Sequence, residues 1–329
     1  MTNRESQCVL VTGGAGYIGS HTCKALAQAG YTPIVYDNLG RGNAWAVKWG
    51  PLEIGDLEDE ERILQVIQAY RPVGVIHFAA FAYVGESMHK PFMYYQNNVG
   101  GTLALISAMA AEGVDRFVFS STCATYGTPK TNPISEDRPQ VPINPYGQSK
   151  LMVEHILRDC AGVGGLNAVA LRYFNAAGAD VDGEIGEAHD PETHLIPLAL
   201  GAANGTAPAL TVFGTDHDTP DGTCIRDYIH VADLADAHVR ALEYTLHNDG
   251  FTPFNLGTGT GVSIKELIAM AEEVTGLPVP HKFGPARAGD PAALVADPAR
   301  AQKELGWTTQ QSDLRTILTS AWAWMEKSA

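Results

Sequence analysis

A basic surplus is what this chain lacks most. Lys and Arg number 22 against 37 Asp and Glu, a formal charge of −15, and nucleic-acid binding normally shows a basic footprint. Long apolar runs are missing too: nothing approaches the roughly 18 residues of a membrane span. The opening Met1-Thr-Asn-Arg-Glu-Ser-Gln-Cys8 has no apolar centre of a signal peptide. Cysteine is scarce and scattered, at Cys8, Cys23, Cys123, Cys160 and Cys224, with no CxxC pair. That usage suits free thiols in a reducing compartment better than disulfides or a zinc site, so a cytoplasmic location is expected. No internal repeat or low-complexity segment interrupts the 329 residues, a length that suggests two lobes.

What is present is an alternation of short apolar runs and helical patterns. Cys8–Thr12 reads as a strand, followed by a helix over about Tyr17 to Ala29 that Gly30 stops. Further strands are expected at Pro33–Asp37, Leu52–Gly55, Val73–Phe78, Arg116–Ser120 and Asn167–Arg172. Between them fall helices at about Leu57 to Tyr70, a long one ending near Ala111, and one containing Lys150. Strands alternating with helices imply right-handed crossovers, hence an α/β fold with a doubly wound parallel sheet of Rossmann type. Beyond about Ala179 the rhythm breaks into polar loops and shorter elements, with helices at about Val231 to Tyr244 and Ser263 to Val274. The expected division is a dinucleotide-binding domain over 1–178 and a smaller C-terminal α/β substrate lobe over 179–329. The chain is expected to cross back to the sheet near 225–260.

Gly13-Gly-Ala-Gly16-Tyr-Ile-Gly19 lies directly between the first strand and the first helix. Such a turn lets backbone approach a pyrophosphate and aims the helix N-terminus at it. Asp37, 18 residues after Gly19 at the end of the second strand, is where a carboxylate would hydrogen-bond an adenosine ribose. The same charge repels a 2′-phosphate, which favours NAD over NADP; Arg41 nearby pulls the other way. Asp56 is placed to reach the adenine.

Two Tyr-x-x-x-Lys matches occur. Tyr126 to Lys130 contains Pro129 and lies in a Gly/Pro/Thr turn, so it cannot form a regular helical turn. Tyr146-Gly-Gln-Ser-Lys150 opens a helix, and residues four apart share a face. A free phenol, with a pKa of about 10, is a poor base at neutral pH. An ammonium about 6 Å away contributes about 2.8 kcal/mol at an effective dielectric of about 20, which is about two pKa units. With a positive nicotinamide adding and burial opposing, the phenol is expected at roughly 6 to 7. Thr122, in Ser120-Ser-Thr-Cys-Ala-Thr-Tyr-Gly127 at a strand end, is the candidate hydroxyl for relaying a proton to Tyr146.

Together these motifs resemble the extended short-chain dehydrogenase/reductase family in its nucleotide-sugar epimerase branch. The resemblance runs through Gly-Gly-Ala-Gly-Tyr-Ile-Gly-Ser-His21, Asp-Asn-Leu39, Val-Gly-Glu-Ser87, Tyr-Gly-Gln-Ser-Lys-Leu-Met152, Leu-Arg-Tyr-Phe-Asn175, Arg-Asp-Tyr-Ile-His-Val-Ala-Asp-Leu-Ala-Asp236 and Asn-Leu-Gly-Thr-Gly259. It implies reversible inversion at C4 of UDP-glucose and UDP-galactose through a transient 4-keto sugar, with tightly bound NAD and Tyr146, Lys150 and Thr122 at the chemistry. By the same resemblance Gly13, Gly16, Tyr17, Ile18, Gly19, Asp37, Asn38, Leu39, Gly40, Arg41, Gly42, Asp56 and Leu57 line NAD. Phe78, Ala79, Ala80, Ala82, Asn97, Tyr146, Lys150 and Phe174 complete that lining. Asn175, His194, Leu195, Phe213, Arg226, Arg287 and Asp290 surround the UDP moiety, with Thr122, Tyr146 and Leu294 at the sugar. Guanidinium forks suit a pyrophosphate, and an acidic chain needs them there. A homodimer through helices around Met93 to Ala111 and Tyr146 to Asp159 is also implied.

Three positions depart from the pattern. Ala82 stands where many members carry Lys, with Tyr83 as a candidate replacement; Thr122 stands where Ser is common; Leu294 stands where others have Tyr or a small residue. UDP-arabinose/UDP-xylose and UDP-N-acetylhexosamine epimerisation are therefore alternative activities. A 4,6-dehydratase needs Asp-Glu after the threonine, where this chain has Cys123 and Ala124. A non-enzymatic NAD sensor has no use for Tyr146 and Lys150 aimed at one crevice. Glu187, His189, Asp190, Glu192 and His194 show no recognised metal-ligand register, and no metal is expected; they read as a loop over the substrate. Asp216, His217, Asp218 and Asp221 read as a solvated polar loop.

Overall fold

The structure, a computed structural model, describes residues 7–287 and 290–328. The opening residues on which the signal-peptide reading rests lie outside those described. Seven parallel strands form the central sheet: β1 (Cys8–Thr12), β2 (Thr32–Asp37), β3 (Leu52–Ile54), β4 (Val75–His77), β5 (Arg116–Ser120), β6 (Asn167–Tyr173) and, after four short strands, β11 (Phe251–Leu256). Their order is β11-β6-β5-β4-β1-β2-β3. The reversal of order between β1 and β4 opens a crevice at the carboxyl ends of those strands, where such sheets bind ligands. The inner strands β1, β2, β4, β5 and β6 are buried on both faces, as their near-continuous Val, Ile, Leu and Phe runs require, while the edge strand β3 leaves Ile54 exposed.

One face is covered by α2 (Glu60–Tyr70), α5 (Gly101–Ala111) and α6 (Pro145–Gly162), whose Ile63, Leu105 and Val153 pack on Leu10, Ile34 and Phe117. The other carries α1 (Tyr17–Gln28) and α8 (Val231–Thr245) over Val9, Val11 and Val118. The expected single long helix before β5 is three pieces, α3 (Val84–His89), α4 (Pro91–Tyr95) and α5, with a π turn at Gln96–Gly100 joining the last two. Asp59 accepts the N–H of Arg62 and so starts α2 three residues later than Leu57.

The short strands β7 (Asn175–Ala177) and β10 (Tyr228–His230) pair in parallel. β8 (Leu210–Phe213) pairs with β13 (His281–Gly284). β9 (Ile225–Arg226) lies between β12 (Val262–Ser263) and β14 (Ala293–Leu294). Helices α7 (Leu195–Asn204), α9 (Ile264–Thr275) and α11 (Leu314–Ser328) enclose a separate core of Ile196, Leu200, Leu210, Leu267, Ile268 and Ile317. The short α10 (Ala299–Glu304) lies beside β11. A capping box between Ser263 and Glu266 starts α9. Asp221, expected in solvent, is instead tied to Thr223 and to the Ser263 hydroxyl, so it anchors the 216–222 loop to that helix start. Among the described residues all five cysteines are free, and no helix is long and apolar enough to cross a membrane.

Candidate active site

The glycine turn forms the floor of the crevice. Gly13 has φ +74°, and a Cβ there would stand 2.5 Å from the Ala79 nitrogen, in the turn that follows β4. A Cβ on Gly19 would meet the Gly13 carbonyl at 2.3 Å, whereas one on Gly16 would meet nothing closer than 3.2 Å and faces open space. Gly16 is the N-cap of α1 and offers no side-chain oxygen, so the first turn's N–H groups receive no side-chain cap. This is a cradle shaped for a phosphate.

Asp37 lies at its edge, with Oδ2 accepting from Ala15 N–H at 3.0 Å and Oδ1 from Leu39 N–H at 2.9 Å. Burial pushes its carboxyl up, against those two hydrogen bonds. The arrangement leaves Leu39 left-handed at φ +58°, an uncommon state for a residue with a side chain and one found at ligand clamps. The Asn38 amide donates to Asp56 at 2.7 Å, joining two segments expected near adenine, and Asn38 accepts from Gly40 N–H at 2.8 Å. Gly42 packs against Ala15 and Asp37. Arg41 pairs with Glu86 at 3.2 Å and covers the Tyr83 ring at 4.7 Å. Tyr83, next to Ala82, therefore supports Arg41, and its hydroxyl donates to the Pro191 carbonyl at 3.3 Å. Asn97 lies in the π turn, donating to Asn98 at 2.9 Å; Asn98 in turn holds the Phe81 backbone and the Ser149 hydroxyl. A π turn inside a helix is often found at functional sites, and sequence reasoning passed over Asn98.

The chemistry sits where α6 meets the end of β5. Asn144 caps α6 by accepting from Gly147 N–H at 2.8 Å, and Pro145 fills its first position. Tyr146 and Lys150 are both buried on one face. Thr122 lies beside the Tyr146 phenol, and its hydroxyl accepts from Ala124 N–H at 3.1 Å. Lys150 donates to the Ser120 carbonyl at 2.8 Å and lies 4.7 Å from the Phe119 ring. Burial lowers Lys150 to about 7, against the attraction of Glu154. Burial raises Tyr146, only partly opposed by Thr122. The expected 6 to 7 counts a bound nicotinamide; the chain's own groups alone leave the phenol above its ordinary value, because the cost of an anion in this dry site outweighs them. Tyr126 of the other Tyr-x-x-x-Lys match is committed elsewhere, to Asn255 and Arg172, both at 2.7 Å.

On the substrate side, Arg226 pairs with Asp290 and donates to the Pro291 carbonyl at 2.9 Å. Burial pushes Cys123 up to about 12 while the Arg226 guanidinium pulls it down, which places that cation beside the residue following Thr122. Arg287 stacks over Phe213 at 3.9 Å. Asn175 donates to the Asp227 carbonyl at 3.0 Å. Leu294, opposite Arg226 in β14, packs with Phe174, Tyr126 and Ile134. Phe174 is thus held in a small apolar cluster with Leu294.

His194 precedes α7, whose first residue is Leu195, and pairs with Glu187. The loop brings together Glu187, His189, Glu192 and His194, but not Asp190. Burial pulls His189 down, yet Glu187 and Glu192 overcome it and raise it to about 9. The loop is strapped across the cradle: Trp324 donates to the Glu187 carbonyl at 2.9 Å and stacks on Trp45 at 5.5 Å. His189, Gly186 and Ala188 share a small cavity with Gly16, Tyr17 and Arg41.

The model of the NAD dependent epimerase/dehydratase family matches residues 9–257. The chain belongs to that family. The UDP-glucose 4-epimerase of Rhizobium leguminosarum bv. trifolii is 54% identical, covering 98% of each chain. Among solved structures, the UDP-glucose 4-epimerase of Brucella ovis in complex with NAD has a TM-score of 0.95 at 55% identity, covering 97% of this chain and 98% of that one. The Bifidobacterium longum UDP-glucose 4-epimerase in complex with NAD+ and UDP has a TM-score of 0.93 at 40% identity, covering 98% of each. NAD is the cofactor of this enzyme, and the cradle, the carboxylate at its edge and the uncapped helix start fit it.

Proposed function

We propose that this enzyme interconverts UDP-glucose and UDP-galactose by inversion at C4, through a transient 4-keto sugar. The observation that carries the reading is the burial of Tyr146 and Lys150 one helical turn apart on α6, with Lys150 held on the Ser120 carbonyl at the carboxyl end of β5 and Thr122 beside the phenol. When bound, NAD accepts and returns the C4 hydride and supplies a positive charge beside the phenol.

The residues do the rest. Thr122 orients the sugar 4-oxygen and Tyr146 takes its proton. Lys150, anchored on the Ser120 carbonyl, holds the ribose of the cofactor and keeps a cation next to the phenol. Arg226, Arg287, Asn175, His194, Leu195, Phe213 and Asp290 hold the UDP moiety while the 4-keto sugar turns about its pyrophosphate link. Tyr146 then returns the proton to the 4-oxygen once the turned sugar presents its other face to the cofactor. Gly13, Gly16, Tyr17, Ile18, Gly19, the 37–42 segment, Asp56, Leu57, the 78–82 segment, Asn97 and Phe174 bind NAD in this reading.

The test is conversion by purified protein without added NAD, comparing UDP-galactose, UDP-N-acetylgalactosamine and UDP-arabinopyranose. UDP-galactose is expected to turn over fastest. Preference for either other sugar, limited by Leu294, would replace the substrate while leaving the chemistry. No conversion even with NAD supplied would sink the reading.

The division at 178/179, a cytoplasmic location and a homodimer belong to the same proposal. The free cysteines support the location. The dimer is supported by exposed apolar side chains on the three expected helices: Phe92 on α4, Leu103 on α5 and Met152 on α6. Light scattering is expected to report twice 35.1 kDa; a single-chain mass would refute it.

A further inference from the structure

Three consecutive residues at the end of β5 meet successive turns of α6, and two of them grip it by hydrogen bonds. The Ser120 carbonyl accepts from Lys150 at 2.8 Å. Ser121 donates its hydroxyl to Glu154 at 2.5 Å. Thr122 lies beside Tyr146. Glu154 stands outside the proposed chemistry, yet it is fully buried, 0% exposed, and is paired with Arg172, 1% exposed, at 2.5 Å. Gln140 also donates to Glu154, at 3.1 Å. Beyond it, Arg172 donates to the Tyr126 hydroxyl, which donates to Asn255, both at 2.7 Å. Ser121 N–H bonds the Leu171 carbonyl at 2.9 Å, so the strand beside Arg172 holds the same short segment.

A buried ion pair is weak support for stability, because apolar residues of similar volume commonly do as well. Its placement here is specific: Glu154 lies one turn from Lys150, as Lys150 does from Tyr146. We propose, on the reading of function given above, that Glu154 is a positioning residue. It fixes the Ser120–Thr122 segment against α6, and with it the Ser120 carbonyl on which Lys150 is held.

The surroundings of Lys150 show why an anion is needed. Facing it are Tyr146 and Glu154 from α6, the Ser120 carbonyl and Phe119 ring from β5, and His77 from β4. Burial takes His77 down to about 3, so it is neutral. Arg172 and Tyr173 come from β6; burial raises the Tyr173 phenol to about 12. Glu154 is the negative group that raises Lys150 against its burial. The sign follows: Lys150 is charged below its pKa, and removing the anion lowers that pKa. The alkaline limb of turnover then moves to lower pH.

The test compares NAD-loaded wild type, Glu154→Gln, Ser121→Ala and the double variant Glu154→Gln/Arg172→Met. Glu154→Gln is expected to lose about 10- to 100-fold in kcat with KM little changed, from misplacement of the pair. Its alkaline limb should move acidward by about one pH unit. Ser121→Ala should lower kcat with no movement of that limb. The double variant should recover the melting temperature but neither kcat nor the limb. A folded Glu154→Gln enzyme with wild-type kcat and pH profile overturns the inference, as does full recovery of kcat in the double variant. If Glu154→Gln fails to fold, the other two variants decide. If wild type converts no UDP-sugar, the functional reading fails; NMR titration of the Lys150 side chain then decides this inference, with equal pKa values in wild type and the double variant overturning it.

Discussion

Tyr146→Phe is expected to lower turnover of UDP-galactose by roughly 10³-fold, within the range that general acid–base groups supply. NAD content and melting temperature should stay near wild type. The phenylalanine ring fits the same buried site at the start of α6, so packing is conserved. What disappears is the oxygen beside Thr122 that, in the proposed reaction, receives the sugar proton. The chain's own groups make this phenol hard to ionise, since burial raises it, so the reaction depends on the positive charge gathered beside it. Thr122 can orient the sugar oxygen but, as a hydroxyl with a still higher pKa, cannot replace the phenol as base. The expected split is therefore a fall in kcat with little change in KM. Stopped conversion assays on NAD-loaded protein read both; turnover within tenfold of wild type would remove Tyr146 from the chemistry.

The sheet, the glycine turn and the Tyr146–Lys150 pair were legible because each is local. The strand and helix periods lie within windows of a dozen residues, and Tyr146 and Lys150 are one helical turn apart. Asp37 was legible as an acid at a strand end. That both of its oxygens would be taken by Ala15 and Leu39, at the cost of a left-handed Leu39, was not, because the constraint comes from folding the 37–42 loop onto the glycine turn. The break at Gln96–Gly100 was hidden for another reason: its residues continue the helical pattern, and only the docking of Asn98 onto Phe81 and Ser149 distinguishes it. Glu154 and Arg172 are 18 positions apart on different elements, and their pairing in a dry interior has no periodic signature. The converse error was Asp221, whose polar sequence context suggested solvent although it anchors a helix start.

Gly13→Ala is expected to be strongly damaging in the cofactor cradle, and its comparison with Gly16→Ala separates fold from ligand. At Gly13 the added methyl meets the Ala79 nitrogen at 2.5 Å and the Ala79 Cα at 2.8 Å, both backbone atoms. No rotamer change relieves that contact. The left-handed φ adds about 1–2 kcal/mol, and overpacking typically adds about 1–3 kcal/mol. The turn after β4 cannot retreat freely, because Phe78 and Ala79 N–H both bond the Thr12 carbonyl, at 2.8 and 3.1 Å. A melting temperature lower by roughly 5–15 °C follows for a chain of this size, together with loss of bound NAD. At Gly16 the methyl meets only the Gly13 carbonyl at 3.2 Å and otherwise projects into the cradle. Gly16→Ala should therefore melt close to wild type when both are stripped of NAD, yet bind NAD at least tenfold more weakly by displacing a phosphate from the helix start. Thermal unfolding and the absorbance ratio at 260 and 280 nm read the two effects separately. If Gly16→Ala retained NAD as tightly as wild type, the phosphate would have to lie away from the α1 N-terminus, and the assignment of this turn as its cradle would fall.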